Sequence, residues 1–360
     1  MTRLVVIGGG ITGLAAAWEG VQRDGVEVVL VEAADRLGGK IRTSDLDLPG
    51  GPLTVDEGAD AFLLRVPDAL QLCRELGLAD GLVHPATGRA MVHVHGALHP
   101  FPAAHVLGVP LDVDDLAATG ILSPAGVRAV ARERTTDASA PDGDVAIGPF
   151  LAAHFGRELV DHLVGPLVGG INAGDVDRLS LAAVTPQLAE AAADGASLTE
   201  ALLRPRAAAP PAGPVFGALP GGMGSLVDAL ARRCRERGAT VHLRSTAGIE
   251  ATPTGTAVAV TGPGGDRRVL DADAVVVATG ARPAADLVRG LSPSAAAELT
   301  AVEHCTVALV TLAYSRADAP DIDGSGFLVP RDEGLLLTAA SWGSTKWRHW
   351  DDGRHVILPV

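Results

Sequence analysis

An α/β fold with a parallel sheet is predicted by three observations near the start of the chain. Residues 3–7 form a short apolar run of the kind found in buried strands, and a glycine-rich turn follows it at once. The apolar stretch from about Ile11 to Val21 then indicates a helix. A second apolar run, residues 26–31, completes a strand–helix–strand unit. The two strands are predicted to be parallel because the helix crosses over between them.

The amino-acid composition limits the class of protein to which the chain can belong. The chain has 360 residues, enough for roughly two domains, and it is 47% hydrophobic and 20% charged, which excludes disorder for most of it. The net charge of −14, without a basic block, argues against a nucleic-acid partner. No apolar run reaches the ~18 residues that a membrane helix needs. No secretory signal is seen, and three cysteines stand far apart (Cys73, Cys234, Cys305), so we expect a cytoplasmic protein.

A dinucleotide site is predicted where the first strand meets the first helix. Gly8, Gly10 and Gly13 occupy the G-x-G-x-x-G positions, which permit a tight turn, a close approach of pyrophosphate and close helix–strand packing. The helix N-terminus supplies free N–H groups to phosphates. Glu32 ends the second strand, where a carboxylate accepts hydrogen bonds from ribose hydroxyls. The predicted contacts from these two segments are Gly8, Gly9, Gly10, Ile11, Thr12, Gly13, Glu32 and Ala33.

The residues after Glu32 indicate which dinucleotide cofactor is bound. The pattern Arg36-x-Gly38-Gly39-x-x-Arg42-Thr43 resembles the second motif of the amine-oxidase-like flavoprotein superfamily. This resemblance implies FAD, with the glycine pair close to the pyrophosphate and basic side chains beside it. The alternative is a solvated basic turn after a strand. The implied cofactor residues in this segment are Arg36, Gly38, Gly39, Lys40 and Arg42.

Three further segments carry a closer resemblance. Residues 56–63 resemble a segment near the flavin ring in protoporphyrinogen oxidases, residues 165–175 resemble that family's most specific motif, and residues 216–223 resemble the return into its FAD domain. The chain is identified as a member of the bacterial porphyrinogen-oxidase family, and the likeness covers its whole length. The resemblance adds cofactor contacts at Gly58, Ala59, Asp60 and Ala247.

The family implies two interleaved domains. A Rossmann-like FAD-binding domain takes residues 1–64 and 216–281, and an α+β substrate domain takes residues 65–215 and 282–360. The proline-rich stretch 205–214 and the glycine at position 280 agree with these boundaries, because both interrupt regular structure.

The implied activity is that of an FAD-dependent oxidase of haem biosynthesis. The resemblance implies oxidation of coproporphyrinogen III to coproporphyrin III, with oxygen as acceptor and hydrogen peroxide as product. A buried carbonyl of Gly170 is expected to steer the pyrrole N–H groups, with Leu167 and Ile171 lining the pocket. Arg89 and Asn172 are expected to bind the substrate, and Asn172 stands where the family usually has an aromatic residue.

Several alternatives stay open at this point. The substrate could be protoporphyrinogen IX, the protein could be another FAD amine oxidase or desaturase, or it could bind nucleotide or porphyrin without turnover. Arg89 is equally compatible with an exposed loop. The expected partners are the porphyrinogen and oxygen, with contact to a membrane surface or to another haem-pathway enzyme left open. His93, His95 and His99 are not expected to bind a metal, because no carboxylate or cysteine accompanies them at ligand spacing.

The remaining pattern gives the outline of both domains. A helix is predicted at 68–76, a hairpin at 90–102 turning at Gly96, a helix at 225–237, and strands at 240–243 and 274–278. A further sheet is expected from residues near 306–313, 326–329 and 354–360. Because related enzymes continue for on the order of 100 residues more, the part that closes the site around the flavin ring is expected to be absent, leaving FAD binding weak.

Overall fold

The computed structural model describes residues 2–133, 141–193, 197–204, 213–253 and 255–360. The chain divides into two compact units, each made of two stretches of sequence: 1–84 with 213–304, and 85–212 with 305–360. Within the described ranges, no helix has both the length and the apolar character needed to cross a membrane. Most of the proline-rich stretch 205–214 falls outside these ranges.

Strands are numbered along the chain. They are β1 Thr2–Ile7, β2 Val26–Val31, β3 Thr43–Leu48, β4 Gly51–Asp56, β5 Phe62–Leu63, β6 Ala90–Val94, β7 Ala97–Pro100, β8 His105–Val106, β9 Val109–Pro110, β10 Phe216–Gly217, β11 Thr240–His242, β12 Thr246–Thr252, β13 Gly255–Thr261, β14 Arg267–Ala272, β15 Ala274–Val277, β16 Thr311–Ser315, β17 Gly326–Leu328, β18 Ala339–Ser341 and β19 His355–Pro359.

Helices are numbered in the same way. They are α1 Ile11–Val21, α2 Pro67–Glu75, α3 Val113–Thr119, α4 Pro124–Glu133, α5 Ile147–Phe155, α6 Arg157–Leu159, α7 Gly170–Asn172, α8 Leu181–Val184, α9 Pro186–Ala192, α10 Leu198–Leu203, α11 Gly224–Glu236, α12 Ala281–Val288, α13 Pro293–Ala301 and α14 Gly343–Lys346. Short 3₁₀ turns occupy Ala79–Gly81, Arg331–Glu333 and Arg348–Trp350, and Val160–Gly169 is π-helical.

The first unit is built on a parallel sheet in the order β11-β2-β1-β15. Strand side chains alternate between its two faces, so each face buries its own apolar set. Val28 and Leu30 of β2 join the core formed by α1 and α11, whereas Val29 and Val31 join the core beneath the antiparallel strands β12–β14. The sheet is therefore covered by helices on one face and by strands on the other, which confirms the predicted α/β class.

The second unit is mainly helical. Its core gathers fully buried side chains from α5, α6 and the π-helical stretch, including Leu151, Phe155, Leu159 and Leu163. A mixed sheet in the order β18-β17-β6-β7 belongs to this unit, with β17 parallel to β6. The strands β16 and β19 form a separate antiparallel pair.

A continuous helical track carries the motif at 165–175. It runs through α6, the π-helical stretch and α7, and it contains Pro166, which cannot donate a backbone hydrogen bond. The track ends at Ala173, whose φ of +47° is left-handed. The turn that follows is therefore set by the backbone of a residue that rarely adopts this conformation.

The elements predicted from sequence in the first unit are confirmed to within two residues at each end, and so is the hairpin β6–β7. The predicted single sheet near the end of the chain is wrong. Thr311–Ser315 pairs with His355–Pro359, whereas Gly326–Leu328 pairs with β6 and β18. Apolar patterning identifies strands, but it does not specify which strand pairs with which, because long-range packing decides that choice.

Glu133 provides a test of the second unit. This carboxylate is 1% exposed and accepts hydrogen bonds from Ser197 Oγ at 2.9 Å and from Leu198 N at 2.5 Å, so it caps α10 from outside. We expect Glu133→Ala to lower the free energy of unfolding by about 2 kcal/mol, because both donors lose a buried acceptor. Urea denaturation measures this effect. The matched control is Glu190→Ala, on an exposed face of α9; equal midpoints for the two variants would contradict the capping role.

Candidate functional site

The glycine turn that connects β1 to α1 is closely packed against neighbouring backbone. Gly8 has a φ of +109°, which favours glycine, and a Cβ at Gly13 would collide with the carbonyl oxygen of Gly8. Gly10 differs, because a Cβ there would meet only Gly39 Cα, at 3.9 Å. Gly10 is the N-cap residue of α1 and offers no side chain to cap the helix. Its first N–H groups are thus available to an anion that approaches the backbone.

A cavity of about 430 Å³ opens beside this turn within the first unit. It is bordered by the carboxyl ends of β1 and β2 and by β12, and its lining includes Gly8, Glu32, Ala33, Ala247 and Thr279. Four residues of the predicted cofactor set therefore meet at one concave surface. Its size falls within the range typical of small-molecule sites.

Glu32 lies at this cavity with its carboxylate already oriented. Oε2 accepts a hydrogen bond from Gly9 N at 2.6 Å, and Oε1 accepts one from Ala34 N at 2.7 Å. The backbone of Glu32 is fixed as well, because its N–H donates to His242 O at 2.8 Å. A carboxylate offers about four acceptor positions, so capacity remains for two ribose hydroxyls.

The glycine pair lies against the first turn. Gly38 N donates to Gly9 O at 2.8 Å, and Gly38 forms a parallel bridge with Gly10. A Cβ at Gly39 would lie 3.1 Å from Gly10 Cα. The structure thus brings the two glycine motifs predicted from sequence face to face, with backbone rather than side chains between them.

The basic side chains of this segment act mainly on the protein itself. The Arg36 guanidinium donates to three carbonyl groups of the loop, among them Gly39 O at 2.6 Å. Arg42 forms an ion pair with Glu57 at 3.0 Å, and Lys40 is exposed. Arg36 therefore stabilises the loop, a contribution that the sequence did not indicate.

Gly58 and Ala59 follow β4 and are exposed, whereas Asp60 is half-buried. Ala247 lies on β12 at the cavity, as already described. Ile11 and Thr12 form the first turn of α1. The predicted cofactor residues are thus distributed over one region of the first unit, with Gly58 to Asp60 placed beyond the residues that border the cavity.

Leu167, Gly170, Ile171 and Asn172 lie in the second unit, on the track that ends at Ala173. Leu167 is half-buried, Ile171 is 71% exposed, and the Asn172 side chain donates to Val168 O at 2.8 Å. Gly170 is exposed, and its carbonyl accepts from Ala173 N at 3.4 Å. The expectation of a buried Gly170 is therefore wrong within this unit, because the helical track ends at that point and exposes its last turn.

Arg89 lies just before β6 and is 67% exposed along its side chain. Its guanidinium forms an ion pair with Asp323, which is 69% exposed. An ion pair this open to water is weak, because solvent screens both charges. The structure thus places Arg89 on the surface of the second unit with a replaceable carboxylate partner.

The histidines of the hairpin are held by local contacts. His93 Nδ1 lies 3.3 Å from Glu333 Oε2, and His99 Nδ1 lies 2.8 Å from Thr119 O. His95 occupies the turn rather than the strand, with a φ of +56°. In the part of the chain that the structure covers, no group of three or more histidine, cysteine or acidic side chains is arranged to hold a metal ion.

The residues fit a dinucleotide. Gly8 and the oriented carboxylate of Glu32 border one cavity. The uncapped N-terminus of α1 and the two glycine segments in backbone contact adjoin Gly8, and each of these features matches one part of an adenosine diphosphate group. These features define a dinucleotide-binding protein of the Rossmann type. The second glycine pair further indicates the flavoprotein branch of that class.

Comparison with known proteins places the chain within this class. It belongs to the flavin containing amine oxidoreductase family, whose model matches residues 11–360. It is 32% identical to the coproporphyrinogen III oxidase of Bacillus subtilis (strain 168), covering 96% of this chain and 74% of that protein. It is 36% identical to the coproporphyrinogen III oxidase of Propionibacterium freudenreichii, covering 89% of this chain and 66% of that one.

Solved structures agree on the fold. A candidate protoporphyrinogen oxidase from Exiguobacterium sp. 255-15 superposes with a TM-score of 0.84 at 29% identity, covering 99% of this chain and 76% of that chain. Reduced UDP-galactopyranose mutase, at 18% identity and a TM-score of 0.65 over 100% of this chain and 74% of that chain, shares the fold alone. The chain is a flavin-dependent oxidoreductase by family, and its cofactor is FAD.

Glu32 provides the test of this site. We expect Glu32→Ala to weaken FAD binding by at least tenfold, because each charge-assisted hydrogen bond to ribose is worth about 1.5–3 kcal/mol. Titration of the flavin-free protein with FAD, followed by flavin fluorescence, measures the affinity. The matched control is Asp35→Ala. Asp35 lies three positions after Glu32 and is an exposed acid that forms an ion pair with Arg244. Similar FAD affinities for both variants would rule out the assignment.

Proposed function

We propose that this protein is an FAD-dependent oxidase that converts coproporphyrinogen III to coproporphyrin III. The observation that carries this proposal is the identity of 32% to 36% with bacterial proteins of that name across most of the chain. In this proposal residues 1–64 and 216–281 bind FAD, and residues 65–215 and 282–360 bind the substrate. We place the reaction in the cytoplasm, because the three cysteines are free thiols.

The reaction removes six electrons and six hydrogens from the porphyrinogen. Three oxygen molecules accept them, so each turnover of the macrocycle yields one porphyrin and three molecules of hydrogen peroxide. Bound FAD supplies the two-electron acceptor chemistry. The protein contributes binding, orientation and the exclusion of water.

The residues of the first unit hold the cofactor in this proposal. The free N–H groups at the start of α1 and the backbone of Gly38 and Gly39 bind the pyrophosphate, and Glu32 binds the ribose. Ala247 lies beside the adenosine at the cavity. Arg36 stabilises the conformation of the glycine pair by donating hydrogen bonds to the loop carbonyl groups.

The residues at the end of the helical track contact the substrate in this proposal. Ile171 is exposed in the second unit, and the apolar part of the macrocycle would cover it together with Leu167. The carbonyl of Gly170 accepts from pyrrole N–H groups and so orients the ring, and Asn172 lies beside it. None of these residues is a nucleophile, which is consistent with chemistry carried by the cofactor.

Protoporphyrinogen IX is the second candidate substrate. It is favoured by the similarity to the Exiguobacterium structure described above. The two porphyrinogens differ in their charge, since coproporphyrinogen carries four propionates and protoporphyrinogen carries two. Cations in the second unit would therefore determine the preference.

The substrate assignment is tested by oxygen uptake with the purified protein and FAD. We expect uptake with coproporphyrinogen III, with porphyrin absorbance rising in step with hydrogen peroxide. Slower uptake is expected with protoporphyrinogen IX, and none with primary amines. Faster turnover of protoporphyrinogen IX would support the second candidate, and oxidation of amines alone would refute both.

Arg89 is proposed to bind one propionate, which would replace Asp323 as its partner. We expect Arg89→Ala to raise the KM for coproporphyrinogen roughly tenfold, the loss of one charged hydrogen bond, while FAD content stays unchanged. Steady-state kinetics measure this change. Arg316→Ala is the control, because Arg316 forms a comparable exposed ion pair with Asp351 in the same unit. An unaltered KM in the Arg89 variant would remove this residue from the substrate site.

A further inference from the structure

Two side chains that the proposed function does not use face each other at the end of the hairpin β3–β4. Thr43 begins β3 and Asp56 ends β4, and the two residues are partners in the register. Thr43 Oγ1 donates a hydrogen bond to Asp56 Oδ1 at 2.5 Å. Asp56 is 2% exposed. A buried carboxylate is costly unless donors surround it, so its further partners indicate its role.

Those partners are the first N–H groups of α11. Met223 N donates to Asp56 Oδ1 at 2.8 Å, and Gly224 N donates to Thr43 Oγ1 at 2.8 Å. Burial raises the pKa of the Asp56 carboxyl, while the hydrogen bonds from Thr43 and Met223 oppose that rise. Helix α11 is therefore capped by side chains of the hairpin rather than by its own residues, since Met223 supplies no side-chain cap.

The turn before α11 fits tightly against this pair. Gly222 has a φ of +79°, and a Cβ there would lie 2.9 Å from Asp56 Oδ1 and collide with Thr43. The start of α11 is thus packed closely against the hairpin. Any change in either side chain has to be accommodated at this contact.

The same helix also bears on the glycine pair. A Cβ at Gly38 would lie 3.1 Å from Val227 Cγ1, on the first turn of α11. Segment 38–43 is thus held at one end between Gly10 and α11, and at the other end by the bonds of Thr43. Because the loop is only six residues long, moving its far end moves the glycine pair.

We infer that Thr43 and Asp56 are positioning residues of the cofactor site, which set the distance between the glycine pair and α1 and so determine how tightly the pyrophosphate is held. This inference rests on the proposed contact of Gly38 and Gly39 with the cofactor. It requires no direct contact of either side chain with FAD. The affected part of the ligand is the second phosphate, since Glu32 and α1 hold the adenosine and the first.

The test compares AMP with ADP on the flavin-free full chain by isothermal titration calorimetry. Thr43→Val keeps the shape of the side chain but removes the hydroxyl. It should weaken ADP binding about tenfold and leave AMP binding unchanged, and it should speed FAD release from the loaded protein. Thr43→Ser restores the hydroxyl and should restore ADP affinity. The matched control is Thr54→Val, because Thr54 donates to an exposed Asp45 at 2.7 Å on the same hairpin.

Three results would overturn the inference. An unchanged ADP affinity in Thr43→Val shows that Thr43 and Asp56 do not position segment 38–43 for binding of the pyrophosphate. An equal loss of AMP and ADP binding shows a general defect of the unit. No ADP binding to the wild-type protein contradicts this inference and the cofactor contacts of the proposed function together, whereas the first two results leave that function standing.

Discussion

The close approach of Gly13 to the carbonyl oxygen of Gly8 is the constraint on which the rest of the cofactor site depends. Because Gly13 has no Cβ to collide with this oxygen, α1 can begin directly after β1. The N-terminus of α1 then lies at the carboxyl edge of the parallel sheet. The cavity, the carboxylate of Glu32 and the glycine pair all lie around that edge. A methyl group at Gly13 would displace α1, and the N–H groups of its first turn would no longer face the same space.

The first unit could be predicted largely from sequence because its signals are local. An apolar run, a glycine turn, an apolar helix and an acid at the end of the next strand follow within about one strand–helix–strand repeat. The position of Glu32 was predicted in this way, and the structure places it at the cavity. Its hydrogen bonds from Gly9 and Ala34 were not predicted, because backbone donors leave no mark on the sequence.

Other features escaped prediction because they join distant parts of the chain. Asp56 contacts Met223, 167 positions later, and Thr43 contacts Gly224, 181 positions later. Nothing in the neighbourhood of either residue distinguishes it from an ordinary strand residue of a polar hairpin. The partners of β17 were missed for the same reason. Long-range packing selected them among several apolar strands, and a pattern of alternating residues is blind to that choice.

The π-helical stretch Val160–Gly169 makes the second unit sensitive to the number of residues in that stretch. Each hydrogen bond of a π-helix spans one residue more than in an α-helix, so the stretch holds an extra residue without breaking the helical track. Deleting one residue without a change in helical geometry would turn everything that follows around the helix axis. Ile171 would then face another side of the unit. An insertion or deletion of a single codon in this segment would therefore redirect its exposed end.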